Sequence, residues 1–437
     1  MSLPRVLLGI GVEPMDYTTH RRVHGELPAQ PPPADGRRSR ASRRSGPGLA
    51  ASPLLAELTR SGLRGRGGGG FPLAAKLDAA RRGKGPPVVV INGSEGEPMS
   101  VKDRMLLESL PHLVLDGAFC LAEALGAGEI LIVIDESFRD AAESMRRALH
   151  ERPVAGRRIA RPRIVTLPAG YVTGQETAIV NYVNNGIPRP TTQPPRISER
   201  GVGRRPTLMA NAETLAHVAL IARHGAEWFR QLGPSEEPGS VLVTFSGGVA
   251  APGVYETEYG SHLGALVDAA GGLTEPARAF LFGGYAGSWV DGAAATTLRL
   301  SSSSLRSVRT SLGAGIIVAL PQSACPVAEV TRVAGWMSDQ GAAQCGPCIN
   351  GLGSIADALA EVCEGHPGRD AFGDIRRWSE LVVGRGACAH PDGAARFVSS
   401  ALRVFAPEFD DHARHGLCDA CERRPVLITP RPRTAVR

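Results

Sequence analysis

The sequence predicts an α/β protein built from several domains. Three observations carry that expectation. Two short buried-looking runs, VVVI at 88–91 and EILIVID at 129–135, bracket a segment with helical spacing, the strand–helix–strand order of a layered α/β domain. Near Gly239 the texture changes to short β-branched runs with glycine turns. After Pro326 apolar residues recur every three or four positions, as in a small helical bundle. At 437 residues the chain is too long for one ordinary core.

Composition narrows the class. The chain is 43% hydrophobic and 21% charged, the balance of a globular protein, and no apolar run reaches the length of a membrane span. The opening MSLPRVLLGIGVEPMDY lacks a cleavage pattern, so a cytoplasmic location is expected, the cytoplasmic face of a membrane being the alternative. Eight cysteines then suggest metal or redox work rather than disulfides. Part of the net charge of +6 sits in the arginine-rich run Arg37–Arg44. That run reads as a solvated stretch, or as a dock for an acidic protein such as a ferredoxin. No aromatics are interleaved there, so no nucleic-acid partner is expected.

The elements follow in order. Residues 1–48 form an N-terminal segment whose Pro/Arg-rich part, 28–48, is a linker. Strand Val88–Ile91 runs into a polar loop. Leu113, Gly117, Cys120 and Ala124 mark a helix that ends at glycine, and a second strand follows. Pro188, Pro190, Pro194 and Pro195 exclude helix from the next stretch. ETLAHVALIARHGAEWFRQLG is an amphipathic helix ending at Gly233. A small α+β module of about 80 residues begins near Gly239, with LRLSSSSLRSV as a low-complexity loop. Val327, Val330, Ala334 and Met337 share one helix face; Leu352, Ile355, Leu359 and Val362 share another; Val398, Leu402 and Phe405 a third. From Asp410 a short polar tail carries CDAC.

Four motifs bear chemistry. Six of the nine residues from Gly62 to Gly70 are glycine. Such a loop turns backbone N–H groups toward phosphate, with Arg64, Arg66 and Lys76 adding charge. It is no Walker A, since no Gly-Lys-Ser/Thr follows, and an RNA-binding RGG segment or a hinge would read alike. NGSEGEP follows a buried strand, where ligand loops sit; Glu95 and Glu97 there accept hydrogen bonds from a ligand or form a solvated turn. In GYVTGQETA, Tyr171 can stack and Glu176 can bind hydroxyls. Cys345 and Cys348 precede an amphipathic helix, and Cys388 precedes another; such thiolates suit an iron–sulfur cluster or zinc. Cys120 and Cys363 read as core residues.

SGLRGRGGGGFPLAAK, INGSEGEPMSVKDR, GYVTGQETA, RRPTLMANAETLAHV, CGPC and GACAHPDGAARFV occur in this order between about Leu54 and Phe409. In this the chain resembles the NADH-binding flavoprotein subunit of respiratory complex I, a family shared with NAD-linked formate dehydrogenases and hydrogenases. The resemblance implies an FMN- and nucleotide-binding domain (49–235), a β-grasp soluble-ligand-binding module (236–322), a helical iron–sulfur domain (323–409) and a tail (410–437). It implies FMN contacts from Gly65, Arg66, Gly67, Gly68, Lys76, Asn92, Glu95, Asn211 and Thr214. It implies nucleotide contacts from Phe71, Glu95, Tyr171 and Glu176, with the catalytic Glu97 facing the nicotinamide. A 4Fe–4S cluster would use Cys345, Cys348 and Cys388. The implied activity is oxidation of NADH or NADPH, with single electrons passed to a ferredoxin-like protein or to other members of a complex. A flavoprotein without pyridine-nucleotide activity and a non-catalytic assembly subunit are the alternatives.

The chain departs from that family in two places. The cluster motif begins with a cysteine where Ala342 stands, leaving three thiolates; the spare ligands Cys418, Cys421 and Cys325 are candidates to complete the set. Ser94 and Gln175 replace acidic residues of the nucleotide site, and Ala79 and Arg196 replace aromatics near the adenine. Fewer carboxylates beside the ribose make a phosphate more welcome, so NADH binding is expected to weaken or the preference to move toward NADPH.

Overall fold

The computed structural model describes residues 3–28, 52–153 and 162–430. The arginine run Arg37–Arg44 lies outside them.

Strands β1 (Val88–Gly93), β2 (Glu129–Asp135), β3 (Arg163–Leu167) and β4 (Thr207–Asn211) form a parallel sheet in the order β3-β2-β1-β4. Val88 to Ile91 are wholly buried, which explains a continuous aliphatic run rather than an alternating one: both faces are covered. The predicted helix is Pro111–Leu125, and it packs on the helix Ala212–Phe229. Gly117 permits that approach, because a Cβ there would lie 1.9 Å from the Leu215 carbonyl oxygen. The chain leaves β1 for β2 on one side and returns to β4 on the other. The winding therefore reverses at β1/β4, where Asn92 lies opposite Asn211, and the crevice beyond those strand ends is where open α/β sheets take ligands.

A second, mixed sheet contains β5 (Ser240–Gly247), β6 (Gly253–Glu258), β7 (Ala277–Phe282), β8 (Ser288–Asp291) and β9 (Ile316–Pro321) in the order β6-β5-β9-β7-β8. Its alternation serves two cores. Phe280, Phe282 and Ile317 face the module's own helices, whereas Leu281, Ile316 and Val318 pack against the C-terminal helices. Leu242, from β5, joins the core of the first sheet. The C-terminal helices are Pro326–Asp339, Leu352–Cys363, Ala371–Val382, His390–Val404 and Ala406–His415.

Three expectations change. LRLSSSSLRSV contains the helix Ser302–Ser307, started by the Ser301 hydroxyl accepting the Ser304 N–H at 3.4 Å; serine-rich composition hid an ST-type cap. The helix expected to reach Gly233 stops at Phe229 and breaks at Gly225, φ 83°. The tail does not begin as irregular chain at Asp410, since helix Ala406–His415 runs through that point. No described helix is by itself long and apolar enough to cross a membrane.

Candidate functional site

The glycine loop is pinched at its base. Arg64 and Pro72 form an antiparallel bridge, and the Gly65 N–H donates to the Phe71 carbonyl at 2.9 Å. Between them Gly68 sits at φ +104°, a conformation that a side chain would strain. The loop overhangs the β1/β4 crevice and closes one wall of a cavity of about 840 Å³. Gly65, Gly67, Gly68, Phe71, Lys76, Asn92, Glu95, Glu97, Tyr171, Glu176, Asn211 and Thr214 all line it. Loops separated by more than 100 residues thus converge on one space.

Arg66 does not join them. Its guanidinium is buried on the far side of the loop, donating to the Ser240 carbonyl at 3.0 Å and lying 4.8 Å from the Tyr259 ring centroid. The reading of Arg66 as a cofactor contact is corrected: its charge ties the loop to the second sheet. Only its backbone faces the crevice residues, its N–H donating to the Thr214 hydroxyl oxygen at 2.9 Å.

The polar residues of the crevice hold one another in place. The Asn211 amide donates to both Asp103 oxygens at 2.9 and 2.8 Å, and its oxygen accepts the Thr214 hydroxyl at 2.5 Å. Asn92 donates to the Gly174 carbonyl at 3.0 Å and accepts from the Ser94 N–H and hydroxyl. Lys76 pairs with Glu176, both on the cavity wall. Glu95 accepts the Ser100 hydroxyl and the N–H groups of Asp103 and Arg104, so it also caps the helix Lys102–Ser109. Burial, reinforced by nearby Asp103, pushes its carboxyl up to about 6.

Glu97 is held differently. One oxygen accepts the Tyr285 N–H at 2.9 Å and the Tyr171 hydroxyl at 3.3 Å. The other is out of solvent and has no partner. Burial pushes this carboxyl from an ordinary 4.5 up to about 7, which poises it to hold or release a proton near neutrality. Tyr171 is packed edge-on to Trp336, with ring centroids 5.5 Å apart, and beside His390.

A stability consequence follows. Between pH 4.5 and 7 the folded protein keeps a proton on Glu97 that the unfolded chain has released, so this group makes stability fall as pH rises through that window. The full cost, up to about 3 kcal/mol, is reached above the folded pKa. Glu97→Gln should remove it: thermal midpoints of flavin-free protein, wild type against variant, should diverge from pH 5 to pH 8 with the variant higher. Parallel curves would rule out a buried carboxyl with a raised pKa.

Sequence reasoning missed what lies under the loop. Lys102 is fully buried and pairs with buried Glu213, while its Nζ donates to the Arg66 carbonyl at 2.9 Å. Glu213 accepts the Leu242 N–H at 2.7 Å. Burial alone would lower the Lys102 pKa, but Asp103 and Glu213 outweigh it and raise it. Against its own burial, Lys102 above all holds Glu213 down at about 2. The available signal was the charged pair Lys102-Asp103 directly after a ligand loop, followed by apolar Met105-Leu106-Leu107.

The thiols form two groups. The Cys345 sulfur accepts backbone N–H groups from Ala387 and Cys348, which overcome its burial and lower its pKa. Cys348 is pushed up to about 12 by burial and by the nearby Cys345 and Cys388 sulfurs, although it accepts the Ala342 N–H. Cys345, Cys348 and the segment carrying Cys388 are thus neighbours, with the Ala342 backbone against them. Cys325 and Cys421 lie elsewhere, 3.5 Å apart. Cys325 caps the start of helix Pro326–Asp339 and Ala342 follows its end, so about 20 Å of helix separates the two groups. The expectation that Cys325 or the tail cysteines complete the first set is overturned. Cys120 and Cys363 are buried in core clusters.

Comparison with known proteins fits this geometry. Residues 58–220 match the Nuo51 FMN-binding domain, 242–285 the SLBB domain and 328–412 the iron–sulfur binding region of NADH-ubiquinone oxidoreductase-F. The second of the NADH-quinone oxidoreductase F subunits in Rhizobium meliloti is 31% identical over 381 residues, covering 83% of this chain and 90% of the relative. This chain belongs to the family of NADH-quinone oxidoreductase F subunits. Another member, in Streptomyces coelicolor, is 29% identical over 385 residues, covering 83% of this chain and 84% of its own. An NAD+-reducing NiFe hydrogenase in its H2-reduced state superposes with a TM-score of 0.76 at 27% identity, over 83% of this chain; the match spans 63% of the hydrogenase chain. As a member of that family, the chain carries an FMN-binding domain and an iron–sulfur binding region.

The residues present fit both groups. A Cβ at Gly67 would touch only Asn211, at 3.6 Å, and one at Gly69 would meet nothing within 4 Å, so the loop leaves its side of the cavity open for a group to approach the backbone. For the cluster, three soft thiolates fit iron and the position of Ala342 supplies none.

Proposed function

We propose that this chain is the FMN-carrying subunit of an electron-transfer complex and oxidises a reduced pyridine nucleotide. The observation that carries the reading is the shared cavity, whose lining includes the glycine loop, Lys76, Asn92, Asn211 and Thr214 together with Glu97, Tyr171 and Glu176. Loop N–H groups, Lys76 and Thr214 would hold FMN, Asn92 and Asn211 would orient it, and Glu97 would receive the nicotinamide amide or a proton on its unpartnered oxygen. Bound FMN supplies conversion of a two-electron hydride into single electrons. Tyr171, on the cavity wall, packs against Trp336 and against His390, two residues past Cys388. Cys345, Cys348 and Cys388 would hold the cluster. The domain division is 49–235 for flavin and nucleotide, 236–322 as a β-grasp module and, for the cluster, 323 to the end of the helix Ala406–His415. The partners are other members of a complex or a ferredoxin-like acceptor, and the place of work is the cytoplasm or the cytoplasmic face of a membrane.

Arg196, Ser94 and Gln175 on the cavity wall favour NADPH over NADH, since the wall offers a guanidinium and lacks two carboxylates that would repel a 2′-phosphate. Anaerobic addition of each nucleotide to FMN-loaded protein tests the reading. Flavin colour should bleach with a nucleotide, and faster with NADPH. Bleaching by dithionite but by neither nucleotide would overturn it in favour of a flavoprotein without pyridine-nucleotide activity.

A further inference from the structure

Four side chains outside the flavin cavity and the first thiol group converge on one point. Cys325, His412, Cys418 and Cys421 bring their ligand atoms within 4.8 Å of one another. The Cys325 sulfur is 3.3 Å from His412 Nε2 and 3.5 Å from the Cys421 sulfur, which is 3.6 Å from that of Cys418. We propose that these residues form a Cys3His structural zinc site that clips the C-terminal tail onto the helical bundle.

The spacing selects a single ion. Four ligands about 2.0–2.3 Å from one tetrahedral centre stand roughly 3.3–3.8 Å apart, the range into which the 3.3, 3.5 and 3.6 Å contacts fall. An iron–sulfur cube places one metal behind each thiolate and so holds its four sulfurs further apart. The surroundings match a built site. His412 is buried, and its Nδ1 lies 3.0 Å from the Cys363 carbonyl oxygen, which fixes Nε2 as the free ligand nitrogen. Cys325 caps the helix Pro326–Asp339 and accepts the Ala328 N–H at 3.3 Å, which fixes the direction of its sulfur. A hollow of about 410 Å³, lined by Cys418, Cys421 and Arg332 among others, gives an ion access from solvent.

The clip has a purpose in the fold. Beyond Cys421 the tail lies along the same helix, with the Val426 and Leu427 N–H groups donating to Glu329 at 2.8 and 2.9 Å. The Trp336 indole donates to the Pro430 carbonyl at 2.8 Å, and the Tyr285 hydroxyl to that of Ile428 at 2.6 Å. The Ile428 N–H meets the Met99 sulfur at 3.4 Å, two residues past Glu97. Zinc at one end of the helix thereby anchors a strap whose other end supports the ligand loop.

Metal analysis of the full-length protein tests the site. Wild type should carry one zinc per chain. Cys418→Ser, at an exposed position, should lose at least ten-fold of that zinc while iron is unchanged, and trypsin should cut after Arg423 at least ten-fold faster. His412→Ala should lose zinc too, but His412→Cys should keep it, which a merely structural histidine would not allow. Zinc-free wild type that takes up no added zinc, or iron lost in step with Cys418→Ser, would overturn the proposal.

Discussion

Gly67→Val abolishes flavin binding in folded protein. The wild-type backbone at Gly67 is free of positive φ, and a Cβ would sit 3.6 Å from the Asn211 side chain, an ordinary contact. The chain therefore folds with a side chain there. The two further methyl groups of valine occupy the crevice beneath the loop and keep a phosphate from the backbone N–H groups. Flavin per chain after reconstitution should fall at least ten-fold, with the far-UV circular dichroism of wild type retained. Gly67→Ala, with one methyl group, should fall between. A Gly67→Val protein that is as yellow as wild type would remove the glycine loop from the cofactor site.

Ala342→Cys creates a chelator-resistant four-iron centre. Ala342 is buried, its N–H donates to the Cys348 sulfur, and the neighbouring Gly341 Cα carries a Cβ direction ending 3.3 Å from that sulfur. The backbone at 342 therefore lies against the Cys348 sulfur, so a thiol there is within reach of the retained set. With three protein thiolates one iron of a cube has no protein ligand and is lost to a chelator. With four it is held. Iron remaining after chelator treatment of anaerobically prepared protein should rise several-fold over wild type, and the dithionite-reduced variant should show the EPR signal of a 4Fe–4S centre. Equal iron in both proteins would mean that the wild-type cluster is already complete without position 342.

Much of this was legible in the residues. Continuous aliphatic runs announced the central parallel strands because burial on both faces leaves no room for polar alternation. Six motifs in order announced the family, and twelve of the thirteen residues expected at the cofactor and nucleotide line one cavity. Arg66 shows why the remainder was not. In a string, an arginine between glycines looks like a phosphate ligand; only the position of Ser240, 174 residues on, and of Tyr259 beyond it shows that the side chain turns inward. The same holds for Lys102 and Glu213, whose pairing joins positions 111 residues apart. The CDAC of the tail was visible as a pair but not as part of a foursome, since Cys325 and His412 come from separate helix ends and no short spacing links them.

The Glu213 carboxylate spans two structural units: one oxygen serves Lys102, and the other takes the N–H of Leu242 from the second sheet. Cutting the chain after residue 235 would take away that donor, the Ser240 carbonyl beneath Arg66 and the apolar cover of Leu242. A buried carboxylate oxygen and a buried guanidinium would each lose a partner, at about 1–3 kcal/mol or more apiece. The flavin half is therefore not a detachable module. An expression boundary drawn from the 58–220 family match would yield a fragment whose glycine loop has lost its floor, and loss of the second sheet in the cell would be felt first as loss of colour.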